Sequence, residues 1–494
     1  MASSLLLIFG GLSLITLIDI LMIALLFLFI PSSLGLGLAV WLAALAVAAA
    51  VSSLLSIVGC LLVIKLFISS ERPAQDHHQI LVLGDIGRSP RMQYHALSIA
   101  KHGGHVDIIG YNESPLIPQL QNHKLVKIYP LAPLPLGRDS GLPFVLLGPL
   151  KVLWQSWHLF RLMALDTPTP RWIVIQNPPS IPTLHTALLV SLYRSSHILL
   201  DWHNFGSTIL ATTRSPSDPF VFAYRLYETT FGALAPTANL TVTDAMAKVL
   251  RKDPYSVSSP ILTLHDRPAS IFKPFDKAQR KKALNSIAET KASAEAILKG
   301  GLCLIVSSTS WTPDEDFGIL LEALVSYSGT LLNEPSRKPI LAIITGKGPQ
   351  KDTYLARIKY LTDRGLLPGV QIVSAWLTTE QYAALLASAD LGICLHKSSS
   401  GVDLPMKVVD MFGSGLPVAA YSKYESFGEL VKEGVNGCGF VEADELADIL
   451  VRLLGDSGAE ELQRLKRGAV EEGSLRWDEE WDRVVGRVLG LIDP

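Results

Sequence analysis

Residues 1 to 64 carry one charged side chain, Asp19, before Lys65 ends the run. A chain that enters lipid must satisfy its own backbone polar groups, and a helix is the local way to do so. Pro31, Ser32 and Ser33 divide the run into two apolar stretches, Leu5 to Phe29 and Leu34 to Ile64. Each exceeds the roughly 20 residues that cross a bilayer. The run predicts a transmembrane anchor over residues 1–68. It is either a helical hairpin or a single span preceded by a re-entrant or signal-like segment. No basic residue precedes the first stretch, which disfavours a cleaved leader. Lys65, Arg72, Arg88 and Arg91 all follow the last stretch, so the body is expected to face the cytosol.

The remaining chain, out of 494 residues, is long enough for two domains with full cores. Over the whole chain, 45 acidic and 43 basic residues nearly cancel, which gives no reason to expect a nucleic acid partner. The mean hydropathy of +0.32 owes its excess to the front of the chain. Cys60, Cys303, Cys394 and Cys438 are scattered without metal-ligand spacing and read as buried thiols. The sequons at Asn112 and Asn239 read as chance occurrences in a cytosolic body.

Past the anchor, apolar runs alternate with helical stretches. Ile80 to Leu83, the loop GDIGRSPR, a helix over Met92 to Lys101 and a strand over Val106 to Ile109 form a βαβ unit. Further strands are expected at Trp172 to Ile175, His197 to Leu200 and Leu240 to Val242. A second series has strands at Leu302 to Val306, Leu341 to Ile344, Val370 to Val373, Leu391 to Leu395, Pro417 to Ala420 and Cys438 to Val441. An α/β fold of two Rossmann-like domains follows, the first over 78–265 and the second over 301–460. Between them lies a segment over 266–300 with a helix running to Lys299, and a helical segment over 461–494 ends the chain. Loops at the carboxyl ends of both sets of strands would face each other across a cleft.

The run SSSGVDLPMKVVDMFGSGLPVAA, residues 398 to 420, reads as a small-residue loop, a helix opened by Pro405 behind a capping Asp403, and a strand from Pro417. Such a helix start suits a diphosphate, with Gly401 and the neighbouring backbone N–H groups, the charge of Lys407, and Asp410 for sugar hydroxyls. Ser308, within Ser307 to Trp311, follows one strand; Gly346 and Gly348 follow the next, and Trp376 the third. The two glycines are expected to let the backbone approach a ligand. In the other domain, Gly87, Arg88 and Arg91 beside a helix start suit a second diphosphate. The apolar stretch 143–165, interrupted by Lys151, His158 and Arg161, reads as an interfacial helix or a buried core helix.

The strings SSTSWTPDEDFGILLEAL, SSSGVDLPMKVVDMFGSGLPV, GDIGRSPRMQYHALSIA and DWHNFG together resemble the chitobiosyldiphosphodolichol β-mannosyltransferase family from about residue 78 to SLRWDEEW. The resemblance implies a GT-B fold and transfer from GDP-mannose to dolichyl-diphosphate-linked chitobiose with inversion, forming a β-1,4 bond. It also implies an endoplasmic reticulum membrane location with the catalytic domains in the cytosol, and other mannosyltransferases of the same pathway as partners. No cofactor is required by it, and a divalent metal is left open without being implied by the sequence. Retaining relatives carry a Glu, seven residues, then Glu around this helix; aligning Asp410 with the second leaves Val402 at the first, in agreement with inversion. Glu425 and Glu433 have the formal spacing but read as surface acids on the following helix.

Inversion by direct displacement needs a base on the acceptor hydroxyl. His203, in the loop LDWHNFG after a strand end, is preferred because a free imidazole titrates near neutrality; Asp201 and Asp85 are the alternatives, while His95 is read as packing. Another lipid-linked transferase of this architecture, retaining or specific for N-acetylglucosamine, and a catalytically silent membrane scaffold are the competing functions.

Overall fold

The computed structural model describes residues 74–135, 144–312, 315–331 and 337–493. The expected anchor over 1–68 lies outside them. Among the described residues no helix is long and apolar enough to cross a membrane.

Strands β1 (Ala74–Asp85), β2 (His105–Tyr111), β3 (Val126–Pro130), β4 (Pro170–Asn177), β5 (His197–Trp202), β6 (Ala238–Thr241) and β7 (Ile261–Thr263) form one sheet, in the order β3-β2-β1-β4-β5-β6-β7. Strands β8 (Cys303–Ser308), β9 (Ile340–Thr345), β10 (Val370–Ala375), β11 (Leu391–Cys394), β12 (Val418–Tyr421) and β13 (Gly437–Phe440) form the other, in the order β10-β9-β8-β11-β12-β13. Pairing is parallel across β1–β2, β1–β4 and β2–β3, and across β8–β9, β8–β11 and β11–β12. All eleven expected strands are present. The two that were not expected, β3 and β7, are short and only half buried, so they lack a continuous apolar run.

The helices are α1 (Pro90–Lys101), α2 (Phe144–Arg161), α3 (Thr183–Arg194), α4 (Gly206–Thr213), α5 (Pro219–Leu234) and α6 (Asp244–Arg251) in the first half. In place of one helix ending at Lys299 there are three, α7 (Lys277–Ser286), α8 (Ala288–Lys291) and α9 (Ala294–Leu298). The β-branched Ile287 takes an extended conformation that ends α7. Then come α10 (Phe317–Leu331), α11 (Lys351–Asp363), α12 (Thr379–Ser388), α13 (Met406–Gly413), α14 (Phe427–Leu430), α15 (Ala443–Leu454) and α16 (Ala459–Ser474), with α17 (Trp477–Trp481) and α18 (Arg487–Leu489) at the end.

Alternation along the strands loads both faces of the second sheet. Ile305, Ile340, Ala342 and Ile344 point into one core with Trp311, Phe317 and Tyr327. Leu304, Val306, Leu341 and Ile343 point into another with Met411, Phe412 and Leu416. Sheets covered on both sides bury every residue of their central strands, as β9 does. Packing divides the chain into two compact units, one up to Leu200 with Arg214–Ala238, the other Asp201–Thr213 with Asn239 onward. In both sheets the strand order reverses beside the first strand, between β1 and β4 and between β8 and β11. Loops leaving the carboxyl ends of such a pair diverge and open a ligand crevice.

Candidate active site

At the reversal in the second sheet, the loop after β8 meets the loop after β11. Glu315 organises the meeting. It is almost fully buried, and its Oε2 accepts hydrogen bonds from the Thr309 hydroxyl at 2.8 Å, the Ser310 hydroxyl at 2.9 Å and the Ser310 N–H. Its other oxygen pairs with Lys407 Nζ from the first turn of α13. A buried carboxylate is costly without such partners. The cation expected to await a diphosphate therefore already has a counter-ion.

Asp403 does not cap α13; Pro405 occupies the cap position and no side chain bonds there. The carboxylate is drawn elsewhere. It accepts from Asn204 Nδ2 at 3.0 Å and Ser398 Oγ, with His396 Nε2 at 3.3 Å and Ser400 Oγ at 3.4 Å. Burial alone would raise its pKa, but the bonds from His396 and Ser398 win and hold it below the usual carboxylate range. Val402 beside it is buried, and its carbonyl accepts from Thr243 Oγ1 at 2.6 Å. A side chain at this position packs into protein, so the missing first Glu of the retaining pattern leaves no exposed gap. Glu425 and Glu433 lie outside the four-residue α14 and are exposed, as surface acids are.

Gly346 and Gly348 serve the protein before any ligand. A Cβ at Gly346 would sit 1.8 Å from the Thr309 carbonyl oxygen, and one at Gly348 1.7 Å from that of Ser310. The expected close approach is therefore made by the neighbouring loop. Gly401 needs its glycine for another reason: its φ is +77° in open space. Ser308 Oγ lies 2.8 Å from the hydroxyl of Tyr382. Trp376 is 63 % exposed, with Lys347 Nζ 3.8 Å from its ring centroid, a platform with one occupied face.

Asp410 occupies the next turn of α13. Burial raises its pKa to about 8, with the negative charge of Asp266 adding to the effect. At neutral pH the group holds its proton and so can donate as well as accept. An acid whose folded pKa lies above its unfolded one favours folding fully at low pH and loses that contribution as pH rises towards 8. Asp410→Asn is expected to flatten the decline in stability between about pH 5 and pH 8, read as urea midpoints at each pH. An unchanged slope would show that the carboxyl is not held neutral.

Asp201, fully buried at the end of β5, lies 3.1 Å from His203 Nε2 through its Oδ2. This is the relation of an orienting acid to an imidazole base, and it leaves the Nδ1 edge of a ring that is one-quarter exposed. Asn204 next to it also reaches Ser399 Oγ at 3.2 Å, besides Asp403. One amide thus ties the His203 loop to the 398–403 loop. The His203 loop is anchored behind by Trp202, whose Nε1 donates to Asn239 Oδ1 at 2.9 Å. Asn239 itself is fully buried, which removes it as a glycosylation acceptor.

The loop after β1 is arranged differently from expectation. Asp85 Oδ1 accepts from the N–H groups of Gly87, Glu113 and Ser114 at 3.1–3.2 Å. Hydrogen bonding, led by the Ser114 side chain, holds Asp85 below the usual carboxylate range, which suits a loop knot and not a base. A Cβ on Gly87 would lie 2.4 Å from the Ser114 carbonyl oxygen, so this glycine too is required by packing. The two arginines are not a pair: Arg88 is exposed, whereas Arg91 is buried within α1. His95 is buried, as expected.

Among the described residues, Asp244, His265 and Glu429 bring ligand atoms within 4.8 Å of one another. Glu429 is already used, accepting from the N–H groups of Asp244 and Ala245 at 2.7 and 2.8 Å at the start of α6. Glu429 and Glu480 raise His265 to about 9, so the ring is protonated and has no lone pair for a metal.

Sequence spacing did not reveal Glu315, Asn204 or His396. Glu315 and Asn204 stand in the strings SSTSWTPDEDFG and DWHNFG, so their position after strand ends was the available signal.

No protein-family model matches the chain. A protein of Arthroderma benhamiae named chitobiosyldiphosphodolichol beta-mannosyltransferase is 48% identical over 379 residues, which cover 76% of this chain and 84% of that one. The chain belongs to the chitobiosyldiphosphodolichol β-mannosyltransferase family. A relative in Arabidopsis thaliana, named UDP-glycosyltransferase TURAN, is 40% identical, with 82% and 95% of the two chains covered. Among solved structures, Anabaena HepE in complex with UDP and glucose matches at a TM-score of 0.55 and 15% identity, covering 84% of this chain and 100% of that one. That likeness shows a GT-B type fold for this member of the mannosyltransferase family, with its two parallel Rossmann-like sheets.

Proposed function

We propose that the protein transfers mannose from GDP-mannose to dolichyl-diphosphate-linked chitobiose, forming a β-1,4 bond with inversion, as the first mannosylation of the N-glycan lipid precursor. The observation that carries this reading is the Asn204 bridge, which holds the Asp201–His203 pair against the loop that opens α13. A base and an anion-binding helix start are the two parts a single displacement requires.

In the reaction, the acceptor hydroxyl oxygen attacks the anomeric carbon while the bond from that carbon to the diphosphate oxygen breaks. Its proton passes to Nδ1 of His203, whose Nε2 faces Asp201. Charge growing on the departing GDP is met by Lys407 and by backbone N–H groups around Gly401 to Leu404. Asp410 holds the ribose, Ser308 contributes its hydroxyl, and Trp376 offers a ring to the base. Arg88, exposed at the start of α1, takes the acceptor diphosphate; Arg91, being buried, holds the helix from within. Residues 1–68 anchor the enzyme in the endoplasmic reticulum membrane with its body in the cytosol.

The deciding assay mixes full-length, detergent-solubilised protein with labelled GDP-mannose and a chitobiosyl-diphosphate lipid. Label on the lipid that β-mannosidase releases is the expected result. The name of the plant relative favours a second reading, a UDP-sugar donor. Transfer from labelled UDP-glucose and none from GDP-mannose would replace the first reading with that one.

A further inference from the structure

The first unit has a helical layer whose outer face is unusually apolar. In α2, Leu150, Leu153 and Trp157 recur at three- and four-residue spacing, on one side of the helix, and all are exposed. In α5, Phe222 and Leu226 stand one turn apart on one side, and Leu234 lies at the end of the helix, each more than half exposed. Leu192 of α3 and Leu165, just past α2, add to the set.

These helices form one layer. His185 of α3 ties both neighbours, with Nε2 3.2 Å from Ser156 Oγ of α2 and Nδ1 2.7 Å from the Tyr227 hydroxyl of α5. Burial lowers its pKa to about 4, so the tie is neutral at physiological pH. Exposed apolar side chains gathered on one helical layer of a folded protein mark something that covers them.

Two facts on the page identify the cover. The charges on the exposed side of α2 and α5 are basic, Lys151, Arg161 and Arg225; Arg161 is paired with Asp166 at 3.1 Å, and the acidic Glu228 of α5 is buried. Apolar side chains, tryptophan and cations together match the boundary of a bilayer with anionic headgroups. The chain also enters this unit beside the same layer: the Ala74 N–H donates to the Thr169 carbonyl at 3.3 Å, eight residues after the end of α2. Only residues 65–73 separate β1 from the apolar run, a reach of about 30 Å when extended.

We propose that the α2–α3–α5 face of the first unit lies on an anionic lipid surface, with Leu153, Trp157, Phe222 and Leu226 entering the headgroup boundary. It rests on the membrane anchor of the proposed function and adds a second, peripheral contact to it. Such a contact fixes the height of the unit above the bilayer, where a tether alone would leave it free to swing.

The test uses the full chain with Cys60→Ser, reconstituted in phosphatidylcholine–phosphatidylinositol vesicles, with an environment-sensitive fluorophore placed singly at Leu153→Cys, Phe222→Cys or the exposed control Lys359→Cys. Cys303, Cys394 and Cys438 are buried and do not compete for label. At 153 and 222 the emission should shift to the blue and be quenched about two-fold or more by lipids carrying a quencher near the headgroup, with no change at 359. Water-exposed labels at 153 and 222 on protein that floats with the vesicles overturn the proposal and leave the anchor standing. A blue shift without quenching also overturns it, because protein is then the cover. Protein that does not float overturns the anchor and this face together.

Discussion

Lys407→Ala is expected to lower kcat for mannosyl transfer by about 10²- to 10³-fold, the usual cost of removing one group that meets charge developing in a transition state. The change does a second thing. It leaves Glu315 buried beside Thr309 and Ser310 without its cation, which should cost about 3–5 kcal/mol of stability in urea unfolding. The double variant Lys407→Ala with Glu315→Gln separates the two effects. It should recover most of the stability, since no charge is left unpaired, and none of the turnover. Recovery of turnover along with stability would mean that Lys407 acts only by holding Glu315 in place.

His203→Ala should lower kcat at saturating substrates by about 10²- to 10⁴-fold, the range for losing a positioned base. Asp201→Asn keeps the shape but weakens the orientation of the ring and should cost about ten-fold or more while His203 is still present. Near wild-type turnover in His203→Ala would remove this residue from the mechanism; with Asp85 committed to three backbone N–H groups, a base would then have to be sought elsewhere in the acceptor site.

What could be read from residue order was whatever is local. Ile340–Thr345 announces a doubly covered strand by its unbroken apolar run, and the small-residue loops after β8 and β11 announce the crevice by following strand ends. The functional partners of those loops were not local. Asp403 looked like a helix cap because capping depends on near neighbours, yet its carboxylate is drawn away by Asn204, 199 residues distant. Lys407 looked unpaired because Glu315 stands 92 residues before it. The glycines at 346 and 348 were assigned to a ligand because sequence cannot show that the backbone of Thr309 and Ser310 fills the space first. Arg91 was grouped with Arg88 by proximity, although Arg88 stands before α1 and is exposed while Arg91 lies within the helix and is buried.

The internal counter-ion of Lys407 bears on what the resting enzyme ignores. A bare ammonium at a helix start would hold any small anion the surrounding solution offers, inorganic phosphate above all, and a donor would then compete with it for entry. With Glu315 in place, a visitor gains that cation only if its other contacts repay the opening of an ion pair. A ligand with several groups to place meets that condition more readily than a lone oxyanion.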